Sequence, residues 1–165
     1  MVTISGKANN IWVIVITLIF ASVLAMVPIP SWLALWRPEW VAVVLFYWVI
    51  ALPHRVGMFS AFFIGLLLDV LKGNLLGLNA GIFTFIAYIG STLYQRVRMF
   101  TPVQQSLTVM MLIASGQLIA FWVQTAVGRN SAENLAFIVS ALTSALVWPP
   151  VFLGLRFCRR SFHVN

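Results

Sequence analysis

The sequence predicts an all-α membrane protein of six transmembrane helices, organised as one integral membrane domain over residues 1–165. The first observation is composition: 62% of the residues are apolar, 8% are charged, and the mean hydropathy is +1.01. An average soluble domain is about 25% charged, so this composition excludes a soluble fold, and its hydrophobicity excludes disorder. The second observation is the division of the chain into six apolar stretches. The third is the unequal number of basic residues at their two ends.

The pattern of basic residues excludes a nucleic-acid surface, and the single cysteine excludes a disulfide and a cysteine-based metal cluster. The net charge is +7, but Lys and Arg occur in ones and twos between apolar runs. A nucleic-acid backbone requires a basic stripe, which this pattern lacks. Cys158 is the only cysteine, so an internal disulfide and a cysteine-based metal cluster are both excluded.

The apolar stretches are long enough, or nearly so, to cross a bilayer. Roughly 20 residues at about 1.5 Å each cross a hydrocarbon core of about 30 Å. Proline, glycine and charged residues end the stretches. The predicted spans are residues 11–27, 38–52, 56–71, 78–94, 103–127 and 135–157. Trp12, Trp32, Trp36, Trp40 and Tyr94 lie at span ends, as in an aromatic belt, whereas Trp48, Trp122 and Trp148 are expected to pack between helices.

The first span is interpreted as an uncleaved helix and not as a signal peptide. Its apolar stretch is longer than the usual 7–15 residues of a signal sequence, and only Lys7 is charged ahead of it.

The second and third spans are short, on the order of 22–24 Å as helices. Pro38 suits the first helical position of the second span. A single crossing through both would place Arg55 near the bilayer centre, at a cost of at least ~2.5 kcal/mol, so two short crossings are predicted. A re-entrant pair is the alternative.

The fifth and sixth spans carry the polar residues that could line a groove. Gln117 and Gln124 are seven residues apart and share a helix face. Pro149 and Pro150 remove two backbone donors from the sixth span and predict a kink there. Hydrogen-bonded packing between helices is the simpler interpretation of the glutamines.

The distribution of charge predicts that both termini are cytoplasmic. The inner side would carry seven basic residues: Lys7, Arg55, Arg96, Arg98, Arg156, Arg159 and Arg160. The outer side would carry three, Arg37, Lys72 and Arg129, together with the three acids Glu39, Asp69 and Glu133.

Asp69 is the acidic residue for which two roles are weighed. It could pair with Lys72, three residues later at facing helical spacing. It could instead be a buried acid that positions another helix or binds a cation, since Gly65, one turn earlier, lets a neighbouring backbone approach. Gly73 and Gly77 have the spacing of a helix-packing motif but fall in a turn, where flexibility explains them.

Enzyme functions find no support in the residues. Nucleophilic catalysis needs a serine with a histidine in reach, and His54 and His163 fall at the inner boundary and in the tail. The Cys, His and acidic residues supply no metal site within the membrane, and no cofactor motif is present. Binding and assembly remain.

Three strings resemble the rod shape-determining protein family MreD. They are Arg37-Pro38-Glu39-Trp40, the stretch YWVIALPHRV over residues 47–56, and the stretch GLLLDVL over residues 65–71 followed by Gly73 and Leu76-Gly77. The resemblance covers the whole chain in length, span number and basic C-terminal end. The family commonly has Asp at the position of Glu39, and both residues are acidic.

The resemblance implies a non-enzymatic, multi-pass component of the bacterial inner membrane that takes part in lateral cell-wall elongation and needs no cofactor. It implies association with MreC, a single-span protein, and through it with MreB, RodA, RodZ and the elongation-specific penicillin-binding transpeptidase. It also implies a six-helix fold similar to the substrate-binding subunits of vitamin transporters.

These observations lead to two hypotheses. In the first, an outer cluster binds the MreC-like helix; its candidate residues are Arg37, Pro38, Glu39, Trp40, Gly65, Asp69, Lys72, Gly73 and Gly77. In the alternative, the protein is a binding or transport subunit for a small molecule or a lipid-linked precursor. That ligand would occupy a groove near Gln117, Gln124, Pro149 and Pro150.

Overall fold

The computed structural model describes residues 11–28, 30–34, 36–128 and 136–161, and every regular element within them is helical. The helices are α1 (Ile11–Met26), α2 (Ser31–Ala34), α3 (Trp40–Ala51), α4 (Met58–Lys72), α5 (Leu78–Met99), α6 (Pro102–Ala126) and α7 (Ala136–Ser161). The predicted charges Lys7, Arg129 and Glu133, together with His163, lie outside the described residues.

The six long helices coincide with the six predicted segments to within one residue, except at four ends. Helix α4 begins at Met58, two residues later than predicted. Helix α3 begins at Trp40, so Pro38 is not its first residue, and Glu39 is the N-cap. Helix α5 continues to Met99, five residues beyond the predicted end, and carries Arg96 and Arg98 in its last turn. Helix α7 likewise continues to Ser161 with basic residues in its last turn. Positive side chains there are stabilised by the helix dipole.

Helix α3 is the centre of the bundle. Eleven of its twelve residues, from Val41 to Ala51, are buried, and it contacts α1, α5, α6 and α7. The indole nitrogen of Trp48 donates to Thr17 Oγ1 of α1 at 2.9 Å. A helix of this length is about 18 Å long, so its neighbours enclose it completely.

The outer surface of the bundle is apolar. Large hydrophobic side chains such as Phe20, Phe63 and Trp122 are more than half exposed. Exposed apolar patches of this extent mark contact with lipid or protein. The expectation that Trp122 packs between helices is therefore wrong, whereas Trp48 and Trp148 are fully buried. Two helices, Pro102–Ala126 and Ile138–Ser161, are long and apolar enough to cross a membrane by length and composition.

Successive long helices alternate in direction, which gives the bundle two distinct ends. The Glu39 end holds the C-termini of α1, α4 and α6 and the N-termini of α3, α5 and α7. The Arg98 end holds the opposite termini, where Arg98 donates to the carbonyl oxygens of Ile50 and Ala51 at the end of α3. The Arg98 end carries six of the eight described basic residues: Arg55, Arg96, Arg98, Arg156, Arg159 and Arg160.

Candidate functional site at the Glu39 end

The segment before α3 is fastened to the start of α7. Ser140 Oγ donates to the carbonyl oxygen of Arg37 at 2.9 Å, and the backbone N–H of Glu39 donates to Ser144 Oγ at 3.0 Å. These bonds fix the backbone on both sides of Pro38 against the last helix. Pro38 and Trp40 are partly exposed beside them.

The Glu39 carboxylate joins two further helices. Gln117 of α6 donates through Nε2 to Glu39 Oε1 at 2.7 Å, and Lys72 Nζ of α4 lies 3.9 Å from Glu39 Oε2. The Lys72–Glu39 contact is the one ion pair within the described residues. The structure therefore brings together residues 37–40 and the end of α4, the two halves of the predicted outer cluster.

Asp69 does not pair with Lys72; it caps α5. Its side chain is fully buried and accepts hydrogen bonds from the backbone N–H groups of Gly77, Asn79 and Ala80 at 2.9–3.4 Å. The side-chain amide of Asn79 donates to it at 2.7 Å. A helix N-terminus has unpaired N–H groups and a partial positive charge. The Asp69 side chain accepts hydrogen bonds from these N–H groups and lies at the positive end of the helix dipole. Of the two roles weighed for Asp69, the structure shows the positioning of a neighbouring helix.

Gly65 allows α4 to approach the first turn of α5. A Cβ atom on Gly65 would lie 2.5 Å from the Cα atom of Ala80 and 2.6 Å from the carbonyl oxygen of Asn79. Both are backbone atoms that cannot turn aside. The predicted close approach is therefore present, and Gly65 and Asp69 are buried inside this helix pair.

Gly73 and Gly77 form the turn between α4 and α5. Gly73 has a φ of 63° and Gly77 a φ of 95°, in the left-handed region that glycine adopts at little cost. The N–H of Asn74 donates to the carbonyl oxygen of Asp69, and the N–H of Gly73 to that of Val70. This is the Schellman pattern of a helix end. Both glycines are exposed, as expected of a turn.

Arg37 carries an unpaired buried donor beside a pocket. One terminal guanidinium nitrogen of Arg37 is buried without a hydrogen-bond partner. The pocket beside it, of about 420 Å³, lies between the ends of α1 and α4 and is also lined by Met26, Glu39 and Lys72. An orphaned buried donor is rare and calls for an acceptor from elsewhere.

The predicted polar groove is not formed as one site. Gln117 and Gln124 line a cavity of about 100 Å³ between α3, α5 and α6. Pro149 and Pro150 do not line it. They follow Trp148, whose indole nitrogen lies 3.4 Å from Gln105 Oε1, and Gln105 is about 18 Å from Gln117 along α6 by helix rise. Helix α7 continues through both prolines.

Sequence reasoning missed Ser140 and Ser144. They lie four residues apart on one face of α7, and small hydroxyl residues in a membrane helix commonly bond to their own helix backbone. Ser144 does so as well, donating to the carbonyl oxygen of Ser140 at 2.7 Å. Their spacing places both hydroxyl groups on one helix face, but it does not indicate that they bind the backbone of residues 37 and 39.

Comparisons with known proteins identify the family of the chain. The family model for rod shape-determining protein MreD matches residues 7–158. The chain is 31% identical over 147 residues to the rod shape-determining protein MreD of Haemophilus influenzae (strain ATCC 51907 / DSM 11121 / KW20 / Rd), covering 89% of this chain and 90% of that protein. No solved structure matches. The chain belongs to the MreD family of rod shape-determining membrane proteins.

Proposed function

We propose that the protein is a non-enzymatic, multi-pass scaffold of the bacterial inner membrane that binds a single-span partner of the MreC type. Family membership supplies the role in rod shape determination. In this proposal the partner links the protein to MreB, RodA, RodZ and the elongation-specific transpeptidase, and so to the organisation of peptidoglycan synthesis.

The proposed topology has six crossings with the Arg98 end in the cytoplasm. Its support is the alternation of the helices and the charge at their ends. Six described basic residues lie at the Arg98 end, whereas Arg37 and Lys72 lie at the Glu39 end beside Glu39 and Asp69. Basic residues in short loops favour the cytoplasmic side. The Glu39 end therefore faces the periplasm in this proposal.

The observation that carries the docking proposal is the unpaired buried nitrogen of Arg37. A separate cleft of about 310 Å³ lies between α1 and α4, nearer the Arg98 end, and is lined mostly by apolar side chains such as Ile14, Leu18 and Phe63. Helices α1 and α4 pack mainly on α3 and α5 respectively and not on each other. An apolar cleft between two helices, with a polar pocket further along the same helices toward the proposed periplasmic end, suits a transmembrane helix that is followed by a periplasmic segment.

In the proposed complex the partner's helix lies in the cleft between α1 and α4, and an acceptor from its periplasmic segment binds Arg37. Lys72 and Glu39 line the pocket beside Arg37. Gly65 and Asp69 act indirectly, because they hold α5 and the exposed turn at Gly73 and Gly77 in place.

Co-purification of the MreC homologue from the same organism tests the proposal. Arg37→Ala is expected to reduce recovery of the partner several-fold, because a hydrogen bond to a charged group contributes about 1.5–3 kcal/mol. Arg96→Ala is the matched control, since it removes an exposed arginine from the opposite end. Size-exclusion profiles of both variants check folding. Equal recovery with both variants contradicts the docking site.

The alternative of a lipid-linked precursor in the polar groove has less support. The cavity at Gln117 and Gln124 is about 100 Å³, whereas ligand pockets are usually about 300–1,000 Å³. Glu39 already occupies the side-chain amide of Gln117. These glutamines fit better as links between helices.

A further inference from the structure

We propose that the Arg98 end contains a binding site for a phosphate group carried by an anionic phospholipid. The site is a pocket of about 350 Å³ between α3, α5, α6 and α7. Three arginines, Arg98, Arg156 and Arg159, line it together with Tyr47, Trp148 and Phe152. The volume lies within the range of small-molecule sites, about 300–1,000 Å³.

Among the residues that the structure describes, the pocket is lined by basic side chains and by no acidic one. The two acids of the described residues, Glu39 and Asp69, lie at the opposite end of the bundle. Arg156 and Arg159 are three residues apart on one face of α7, so their guanidinium groups repel each other unless an anion lies between them. Guanidinium groups match phosphate oxygens in geometry as well as in charge.

Hydrogen bonds to the C-terminal end of α3 fix the position of Arg98. Its Nε donates to the carbonyl oxygen of Ile50 at 3.1 Å, and a terminal nitrogen donates to that of Ala51 at 2.6 Å. These carbonyl groups end α3 and have no partner within the helix. Arg98 is therefore held at the pocket wall, while Arg156 and Arg159 supply the charge that a ligand would neutralise.

The wall of the pocket changes from aromatic to cationic along α7. Trp148, Phe152, Arg156 and Arg159 follow one another at helical spacing on the same face. The rings of Trp148 and Phe152 lie 5.8 Å apart, and Tyr47 packs against Phe152 at 5.7 Å. An amphiphile with an anionic head and an apolar chain matches this order better than a free phosphate ion. Basic pockets between transmembrane helices on the cytoplasmic side bind anionic headgroups in this way.

Only the location of the pocket at the depth of the lipid headgroups rests on the proposed topology. Binding of the ligand is measured without the partner protein. Failure of partner docking and failure of this site are therefore separate results.

Native mass spectrometry of the full-length, delipidated protein tests the site. Phosphatidylglycerol is expected to bind at one molecule per chain, about tenfold or more tightly than zwitterionic phosphatidylcholine. The double variant Arg156→Gln and Arg159→Gln is expected to lose this preference. The double variant Arg96→Gln and Arg160→Gln is the control: it removes the same charge from the same end but from residues that do not line the pocket.

A competition experiment on the wild-type protein distinguishes a phospholipid headgroup from a soluble phosphate as the ligand. It does not depend on whether a variant folds. Weak displacement by millimolar inorganic phosphate or glycerol phosphate supports a lipid ligand. Displacement by these ions as effective as by phosphatidylglycerol overturns the lipid and leaves a soluble phosphate. Three results overturn the phosphate site. They are equal loss of phosphatidylglycerol binding in both double variants, no loss in the Arg156→Gln and Arg159→Gln variant, and stronger displacement by an acidic peptide than by phosphatidylglycerol.

Discussion

Asp69 is a helix cap supplied by the preceding helix. Its two oxygens accept the N–H groups of the first turn of α5 and the side-chain amide of Asn79, and no part of the residue is exposed. A buried side chain that accepts this many hydrogen bonds satisfies the backbone N–H groups that a helix N-terminus leaves unpaired. The residue therefore joins α4 to the first turn of α5.

Asp69→Asn is expected to lower stability by about 2–3 kcal/mol. The amide keeps one acceptor oxygen but turns its NH₂ group toward backbone donors that then lack a partner. Thermal unfolding in detergent measures the change. Glu39→Gln is the control, because Gln keeps the acceptor for Gln117 and Glu39 is partly exposed. A shift no larger than that of the control contradicts the capping role.

Gly65→Ala is expected to destabilise the protein by about 1–3 kcal/mol, as overpacking does. The new methyl group would lie 2.5 Å from the Cα atom of Ala80, so α4 and α5 would have to separate. Gly81→Ala is the matched control in α5, since nothing lies within 4 Å of its added Cβ. The control is expected to be neutral or slightly stabilising. Similar melting temperatures for the two variants would show that the contact is loose.

Individual residues were predictable where the argument was local. The close approach at Gly65 and the turn at Gly73 and Gly77 follow from residue type and are confirmed. The partner of Asp69 was not predictable, because helical spacing points to Lys72, whereas the turn folds the next helix back over the carboxylate. Lys72 instead faces Glu39, which is distant in sequence.

At the level of elements, α3 differs from the other long helices because protein surrounds it on every side. Helices α1, α4 and α6 expose large apolar side chains such as Phe20, Phe63 and Trp122. Labelling with a lipid that carries a photoreactive diazirine in its acyl chain is therefore expected to modify α1, α4 and α6. Peptides from Trp40–Ala51 are expected to remain unlabelled. Labelling of α3 comparable to that of α6 would contradict its central position.

The existence and bounds of the long helices were predictable, but the central helix was not. Proline, glycine and charged residues set the helix ends to within a few positions. Lipid tails are as apolar as a protein core, so an apolar residue in a membrane helix does not reveal which of the two it faces. Trp48 and Trp122 are alike in sequence context, yet one is buried and the other is exposed.

For the whole molecule, the single cysteine is a natural reporter of orientation. Cys158 lies in the last turns of α7 at the Arg98 end and is partly exposed. In intact cells from which the outer membrane barrier has been removed, an impermeant maleimide is expected to leave it unlabelled. Leu76→Cys in a Cys158→Ser background is expected to react, because Leu76 is 72% exposed in the turn at the Glu39 end.

The opposite labelling pattern would reverse the proposed topology, and labelling of both positions would contradict the three crossings, α5, α6 and α7, proposed between them. A membrane-permeant maleimide applied to the same cells is the control that both thiols are reactive. The division into spans predicted which described charged residues share an end of the bundle, because helices joined by short turns alternate in direction. It could not predict the cleft between α1 and α4, which depends on which helices pack together.

The fastening of residues 37–39 to Ser140 and Ser144 has a consequence for biogenesis. The two halves of this contact are more than a hundred residues apart, whereas Asp69 reaches its donors within eleven. The α4–α5 hairpin is therefore able to assemble while the chain is still being synthesised. The segment at Arg37 settles only after the last helix has been inserted. A partner that recognises this segment would thus select finished chains and pass over truncated ones.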